Sequence, residues 1–163
     1  MQSAIDSGEL RRVLGHFATG VAVITAVDGD EPIGFTCQSL TSVSLDPAYV
    51  SFCPAKSSTS WPRLREIGVL CINVLAAHQR DTCLKFAVSG GDKFAGLQWA
   101  DDGNGAPHLQ GALAHIEATI AHEHDAGDHT IVLAEITGLT TGDATVTGES
   151  PLLFYRGAFG TFH

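Results

Sequence analysis

Gly20-Val-Ala-Val-Ile-Thr-Ala-Val27 is the stretch of sequence that decides the fold, because it is compact and rich in β-branched residues. It ends at the turn sequence Asp28-Gly29-Asp30, and a second apolar run, Pro32-Ile-Gly-Phe-Thr-Cys37, follows directly. Two such runs around a short glycine-containing turn are typical of a β-hairpin. The stretch therefore predicts the first two strands of an antiparallel sheet.

Outward from this hairpin the chain continues in short apolar runs. Further strands are predicted at residues 43–45, 49–53, 69–75, 112–124, 129–140 and 152–155. Helices are predicted at Ile5–Phe17, where Leu10, Val13, Leu14 and Phe17 share a face, at 60–67 with Ser60 as N-cap, and at 79–86. Residues 96–111 are predicted to be irregular.

Seven or eight strands with two or three short helices, and no regular βαβ alternation, favour a mainly β fold built as an antiparallel barrel. The 163 residues are about the size of one domain. With no linker or repeat, we predict a single domain over residues 1–163, with residues 1–17 as an N-terminal helical segment.

The composition of the chain limits the classes of partner that it can bind. The formal net charge is −9 and the nine Lys and Arg residues are scattered, which argues against a nucleic-acid or anionic-membrane surface. The four cysteines form no Cys-x-x-Cys pair, and no signal peptide or hydrophobic span is evident. We therefore expect reduced thiols and a cytoplasmic protein.

A run of four hydroxyl residues, Ser57-Ser58-Thr59-Ser60, precedes the second predicted helix, with Lys56 before it and Arg63 after it. Free N–H groups at a helix start, hydroxyls and cations suit a phosphate group. An ordinary helix cap with a polar loop is the alternative.

Two further segments carry weaker signals. Gly34-Phe-Thr-Cys-Gln-Ser39 places small and polar residues at a strand end, where backbone donors can meet a flat polar ligand, although an ordinary strand end has the same composition. Tyr155-Arg156-Gly157 sets an aromatic ring beside a cation, which suits either ring stacking or anchoring of the C-terminal tail.

The segment His122-Glu-His124-Asp125-Ala-Gly-Asp128-His129 holds three histidines and three carboxylates. His122 and His124 would share a strand face, as in a β-strand metal site. A polar strand and turn, or a His129 that faces a ligand, are the other readings. We assign no metal ligands and keep a metal enzyme as an alternative function.

Taken in order, these segments resemble the flavin reductase-like family. The resemblance is carried by Phe17-Ala-Thr-Gly-Val-Ala-Val-Ile-Thr25, by Gly34–Ser39 running into Ser42-Val-Ser-Leu-Asp-Pro47, by Gly127-Asp128-His129 and by Tyr155-Arg156-Gly157. It covers about Leu10 to Phe162 and is strongest to the actinobacterial reductases that serve two-component flavin monooxygenases.

The resemblance implies a split β-barrel, a homodimer, and hydride transfer from NADH or NADPH to FMN or FAD, with reduced flavin passed to a partner oxygenase. By the same resemblance, His129 lies beside the ring where nicotinamide stacks. The cofactor-binding residues it implies are Thr36, Cys37, Gln38, Ser39, Ser51, Phe52, Cys53, Ser57, Ser58, Thr59, Lys93 and Tyr155. The family often has Asn at the position of Gln38. Since one fold hosts several functions, a flavin- or haem-binding split-barrel protein without reductase activity stays open.

Overall fold

The computed structural model describes residues 4–101, 103–142 and 149–163 of the chain. The helices in these ranges are α1 (Ser7–Leu14), α2 (Trp61–Ile67) and α3 (Arg80–Phe86), with a 3-10 turn at Ala77–Gln79. The strands are β1 (Thr19–Gly20), β2 (Ala22–Asp28), β3 (Glu31–Cys37), β4 (Thr41–Leu45), β5 (Ala48–Phe52), β6 (Val69–Val74), β7 (Trp99–Ala100), β8 (His108–Leu109), β9 (Ala114–Ala126), β10 (His129–Thr141), β11 (Leu152–Tyr155) and β12 (Ala158–Thr161).

Seven of these strands form one antiparallel sheet in the order β3-β2-β6-β9-β10-β5-β4. Its two outer strands, β3 and β4, are consecutive in the chain and are joined by residues 38–40 alone. Such a short connection spans at most about 15 Å, so the sheet has to curl until its two edges approach each other. The prediction of a mainly β fold with few short helices is confirmed.

The predicted first hairpin is confirmed, with Asp28 paired to Glu31 across a two-residue loop. Gly29 has a φ of 64°, a value that favours glycine at this loop position. A second two-residue loop, Gly127-Asp128, joins the long strands β9 and β10, with Ala126 paired to His129. This loop fixes His129 as the first residue of β10.

The main hydrophobic core lies inside the curl of the sheet, where α2 inserts the buried side chains of Trp61 and Leu64. The Trp61 ring packs edge-on against the rings of Phe52 and Phe35, with centroid distances of 5.8 and 6.4 Å. A second cluster lies under α3, where Phe86 packs edge-on against Phe94. The two cores support opposite faces of the β2–β3 hairpin, since alternate side chains of a strand point to opposite sides.

Several local predictions differ from the structure. Strands β7 and β8 lie in the region predicted to be irregular, and β12 was not predicted. Helix α1 is shorter than Ile5–Phe17 and has no buried residue. Ser60 occupies the N-cap of α2 but makes no side-chain capping bond; Ser58 Oγ instead accepts from Trp61 N at 3.1 Å.

The single-domain assignment stays a prediction, and residues 1–3 of the predicted N-terminal segment lie outside the described residues. Of the helices in the described ranges, none has the length and apolar character needed to cross a membrane.

Candidate active site

A cavity of about 540 Å³, here called cavity A, opens where the end of β3, the segment after β5, the end of α3 and the start of β10 meet. Its volume is in the usual range for small-molecule sites. The residues that line it are Phe35, Thr36, Cys37, Gln38, Ser39, Cys53, Pro54, Ala55, Ser57, Ser58, Thr59, Phe86, Ala87, Val88, Ser89, Lys93 and His129.

Hydrogen bonds to neighbouring elements hold the end of β3 in place. Thr36 Oγ1 donates to the carbonyl of Cys83 in α3 at 2.6 Å. Ser39 Oγ accepts from Cys53 N at 2.8 Å and lies 3.2 Å from Cys37 Sγ. The serine hydroxyl therefore ties the β3–β4 connection to the segment after β5 at the rim of cavity A.

Cys37 lines the cavity as a neutral thiol. Burial raises its pKa above that of an ordinary cysteine, because a thiolate is poorly solvated there. A group that stays protonated at neutral pH is a weak nucleophile. Its place in the site is therefore that of a small apolar surface.

The segment after β5 is tied to the start of β10. Ala55 forms an isolated bridge with His129, and Thr130 N donates to the carbonyl of Pro54 at 3.0 Å. Lys56 N donates to the carbonyl of Asp128 at 2.9 Å. These bonds bring the hydroxyl run and His129 to the same cavity.

His129 is half-exposed at the cavity edge. Its Nδ1 lies 2.7 Å from Asp128 Oδ1, and this hydrogen bond lowers the pKa of the Asp128 carboxyl. An ionised carboxylate only accepts, so Nδ1 carries the proton and Nε2 is left to face a ligand. The pair fixes both the orientation and the tautomer of the imidazole.

Lys93 is the cation that lines cavity A. Its Nζ contacts Gly34 O at 3.3 Å and Ser60 Oγ at 3.4 Å, and burial lowers its pKa. None of the ion pairs among the described residues includes Lys93. A partly desolvated ammonium without a carboxylate partner attracts an anionic ligand strongly.

The two cations that flank the hydroxyl run in sequence are engaged elsewhere. Lys56 pairs with Asp125, and Arg63 pairs with Asp28 at 2.9 Å and Glu31 at 2.6 Å. The charge at the hydroxyl run therefore comes from Lys93, which is more than thirty positions away in sequence.

Most of the residues predicted for the site line cavity A. They are Thr36, Cys37, Gln38, Ser39, Cys53, Ser57, Ser58, Thr59, Lys93 and His129. Ser51, Phe52 and Tyr155 do not line it. Phe52 is fully buried behind the cavity, Ser51 pairs with Leu133 in the sheet, and Tyr155 packs edge-on against His16 near the end of α1. The binding roles of all these residues stay predictions.

Sequence reasoning missed the cavity wall formed by Phe86–Ser89 at the end of α3. The sequence predicted a helix at 79–86, but nothing in it indicated that the end of this helix lines the site. Phe86 lies directly on Gly34, where an added Cβ would come within 3.0 Å of the ring. This close approach allows α3 to pack on β3 and complete the cavity.

The histidine cluster of the β9–β10 hairpin is spread along the strands. His122 and His124 are exposed, while Glu123 and Asp125 pair with Arg65 and Lys56. Within the described ranges, no group of three or more His, Cys, Asp or Glu side chains is arranged to hold a metal ion.

Cavity A thus combines a polar strand end and small side chains on one side, hydroxyls and a cation at one end, and an oriented imidazole at its edge. This arrangement fits a flat polar ring system that carries a phosphate group. The walls include Phe35 and Phe86, which supply the apolar contact that such a ring needs.

The chain belongs to the flavin reductase like domain family, which matches residues 14–163. It is 44% identical over 156 residues to the reductase subunit HsaB of a flavin-dependent monooxygenase from Rhodococcus jostii, covering 96% of this chain and 78% of that protein.

Two solved structures support the same class. The nitrilotriacetate monooxygenase component B homologue from Mycobacterium thermoresistibile is 42% identical with a TM-score of 0.93, covering 97% of this chain and 87% of that one. The NADH:FAD oxidoreductase SgcE6 of Streptomyces globisporus, solved with NAD and FAD fragments, is 38% identical with a TM-score of 0.89, covering 97% and 93%. The predicted split-barrel fold is confirmed by these neighbours.

Proposed function

We propose that this protein is an NADH-dependent flavin reductase that supplies reduced flavin to a partner monooxygenase. The observation that carries the proposal is cavity A, which brings the strand end Thr36–Ser39, the hydroxyl run with Lys93, and His129 to one place. The relatives named as a monooxygenase reductase subunit and as an NADH:FAD oxidoreductase support the same activity.

In this proposal the flavin ring lies against Thr36–Ser39 and Cys53, where backbone groups and small side chains allow close contact. Ser57, Ser58 and Thr59 hold the phosphate together with the Lys93 ammonium. Ser51 and Phe52, at the end of β5, hold the segment that leads from this strand to Cys53. Few charged contacts hold the ring itself, which suits a flavin that has to leave after reduction.

The reaction moves a hydride from C4 of the nicotinamide to N5 of the flavin. Since a hydride step needs no general base, the residues of the chain mainly hold the two rings at reacting distance. His129, oriented by Asp128 with the proton on Nδ1, accepts a hydrogen bond at Nε2 beside the nicotinamide.

We propose further that the protein is a homodimer in which Tyr155 reaches the flavin of the second copy. Leu14, Phe17 and Leu45 are 61%, 80% and 91% exposed, and α1 has no buried residue. Large exposed apolar surfaces of this kind mark subunit contacts. Light scattering in dilute solution tests the proposal: twice the chain mass of 17.1 kDa is expected, and a fully active monomer contradicts it.

A cytoplasmic location also stays a proposal. It is supported by the four cysteines, which are all free thiols. NADH rather than NADPH is proposed because the chain is acidic and no arginine, which could bind a 2′-phosphate, stands among the described residues that line cavity A.

The activity is tested by aerobic NADH oxidation with and without FMN, FAD or riboflavin. Oxidation that depends on added flavin is expected, while flavin binding without any oxidation would favour a binding protein. The phosphate site is tested with the double substitution Ser57→Ala and Thr59→Ala, which spares the Ser58 cap of α2. Binding of FMN should weaken about tenfold, and binding of riboflavin should not change.

The matched control for this test is Ser42→Ala with Thr137→Ala, which removes two exposed hydroxyls away from cavity A. The control should bind FMN and riboflavin as the unchanged protein does. Equal weakening of both flavins by the first double variant would reject the phosphate assignment.

A further inference from the structure

A second cavity of about 830 Å³, here called cavity B, adjoins cavity A. It lies between the β2–β3 turn, the start of α2 and the loop before Phe94. The residues that line it are Asp28, Asp30, Glu31, Pro32, Ile33, Gly34, Thr59, Ser60, Arg63, Gly90, Gly91, Asp92, Lys93 and Phe94.

The two cavities share Thr59 and Lys93. The Lys93 ammonium donates to Gly34 O and Ser60 Oγ, and both Gly34 and Ser60 line cavity B. Its charge is therefore held at the boundary between the cavities. A ligand whose phosphate contacts Lys93 from cavity A has cavity B directly beyond that phosphate.

The lining of cavity B is acidic beyond Lys93. Arg63 is already paired with Asp28 and Glu31, and Asp92 Oδ1 accepts from Phe94 N at 3.1 Å. Asp30 has no hydrogen bond or ion pair with any described residue. Four carboxylates against two cations disfavour another phosphate inside cavity B and favour an uncharged group with hydrogen-bond donors.

We propose that cavity B receives the adenosine half of FAD, with the ribose hydroxyls donating to Asp30, so that FAD is the flavin this protein prefers. The inference rests on the proposed function, since it takes the phosphate end of the flavin to lie at Thr59 and Lys93. The pyrophosphate then stays at the boundary, beside Lys93, which takes part in no ion pair among the described residues. The uncharged ribose and adenine lie beyond it.

The nicotinamide nucleotide is the weaker candidate for this cavity. Its reacting ring has to stack on the flavin beside His129, which lines cavity A and not cavity B. The position of cavity B, reached past the phosphate and away from His129, matches the direction in which FAD extends beyond FMN.

The test measures dissociation constants of FAD and FMN by isothermal titration calorimetry, with unchanged protein, Asp30→Asn and the control Glu66→Gln. Glu66 is an exposed carboxylate of α2 that lines neither cavity, so its substitution makes the same change in charge elsewhere. We expect Asp30→Asn to weaken FAD about fivefold and to leave FMN unchanged. Glu66→Gln should change neither.

A second variant, Asp92→Asn, keeps an oxygen acceptor for Phe94 N while removing a charge from cavity B. It should weaken FAD about twofold without affecting FMN. If FAD is unaffected by Asp30→Asn, or if both flavins weaken equally, cavity B does not hold adenosine. The proposed reductase function fails on a different result, namely no NADH oxidation by the unchanged protein with any flavin.

Discussion

Two histidine–carboxylate pairs of nearly equal length lie at opposite ends of the β9–β10 hairpin. His129 Nδ1 lies 2.7 Å from Asp128 Oδ1, and His108 Nε2 lies 2.9 Å from Glu117 Oε1. Their burial differs greatly. The side chains of His129 and Asp128 are 46% and 94% exposed, whereas those of His108 and Glu117 are 10% and 15% exposed.

Neighbouring groups restrict the side chains of the buried His108–Glu117 pair. Glu117 Oε1 also accepts from Asn104 N at 3.1 Å, and the His108 ring stacks on His115 with centroids 4.6 Å apart. A Cβ added to Gly103 or Gly138 would come within 1.4 or 2.4 Å of the Glu117 carboxylate. The pair is thus packed against backbone and a second ring, and both of its side chains also line a cavity of about 660 Å³.

The exposed pair has a different character. Asp128 belongs to a two-residue loop, and its carboxylate serves only His129 among the described side chains. Since the histidine of each pair lines a cavity, the comparison teaches that such a contact fixes structure when both partners are buried and bonded further, and can orient a ligand-facing group when the histidine is half-exposed. Burial, rather than the pairing itself, separates the two roles.

The largest expected effect is on stability at the buried pair. Glu117→Ala leaves His108 Nε2 and Asn104 N without their acceptor, so we expect a loss of about 2–4 kcal/mol in the free energy of unfolding. Thermal unfolding followed by circular dichroism should show a fall of roughly 5–12 °C in Tm.

Glu117→Gln is the control for this change, since it keeps the shape and one oxygen acceptor. It should lose clearly less stability than Glu117→Ala. A Tm that stays within 1 °C in both variants would mean that the buried pair does not stabilise the fold.

The next effect is on rate at the exposed pair. His129→Ala removes the group beside the nicotinamide, and we expect stopped-flow reduction of flavin by NADH to slow about tenfold. Tm should not change by more than 1–2 °C, because the side chain is half-exposed. Loss of flavin affinity without a change in rate would instead make His129 a flavin-binding residue.

A smaller effect is expected for Asp128→Asn. The amide oxygen still accepts from His129 Nδ1 but no longer carries a charge, so the ring is held less firmly in one tautomer. We expect a two- to threefold lower turnover with unchanged KM for flavin. Restored turnover in Asp128→Glu, which keeps the charge, separates orientation by a carboxylate from a structural effect of the loop.

The smallest effect is a change in titration. The hydrogen bond from His129 lowers the pKa of Asp128, so the carboxyl stays ionised to more acidic pH than an ordinary aspartate. Its contribution to stability is therefore present above the unfolded pKa and lost as the pH falls through the lowered folded pKa. Carboxyl NMR should show the Asp128 pKa rising towards that of an ordinary aspartate in His129→Ala, and an unchanged pKa would contradict the assigned cause.

Much of the fold could be predicted because local patterns carry it. The β2–β3 hairpin has β-branched runs around a glycine turn, and β9 and β10 are long runs joined by a second glycine-containing turn. β12 was missed because its hairpin turns at Arg156-Gly157, both with positive φ, and arginine is a rare residue at such a position. Helix α1 shows an apolar face in sequence, but a periodic pattern does not say which surface covers it.

The resemblance to a known family predicted which residues form the site, but it did not predict how the charges around them are arranged. The sequence places Lys56 and Arg63 beside the hydroxyl run, yet both pair with carboxylates and Lys93 lies at the cavity instead. Which cation lies at the cavity depends on which charged residues the fold brings together across long sequence separations. The wall formed by the end of α3 was hidden for the same reason.

The three-residue connection 38–40 has a bearing on how large a ligand this fold accepts. It joins the two outer strands of the curled sheet, β3 and β4, directly. Ser39 in this connection also accepts a hydrogen bond from Cys53 N. The same residues Gln38 and Ser39 form the rim of cavity A. The length of this connection therefore limits the width of the cavity. One added residue would loosen the curl of the sheet and widen the cavity. Chains with a longer connection should therefore bind bulkier rings.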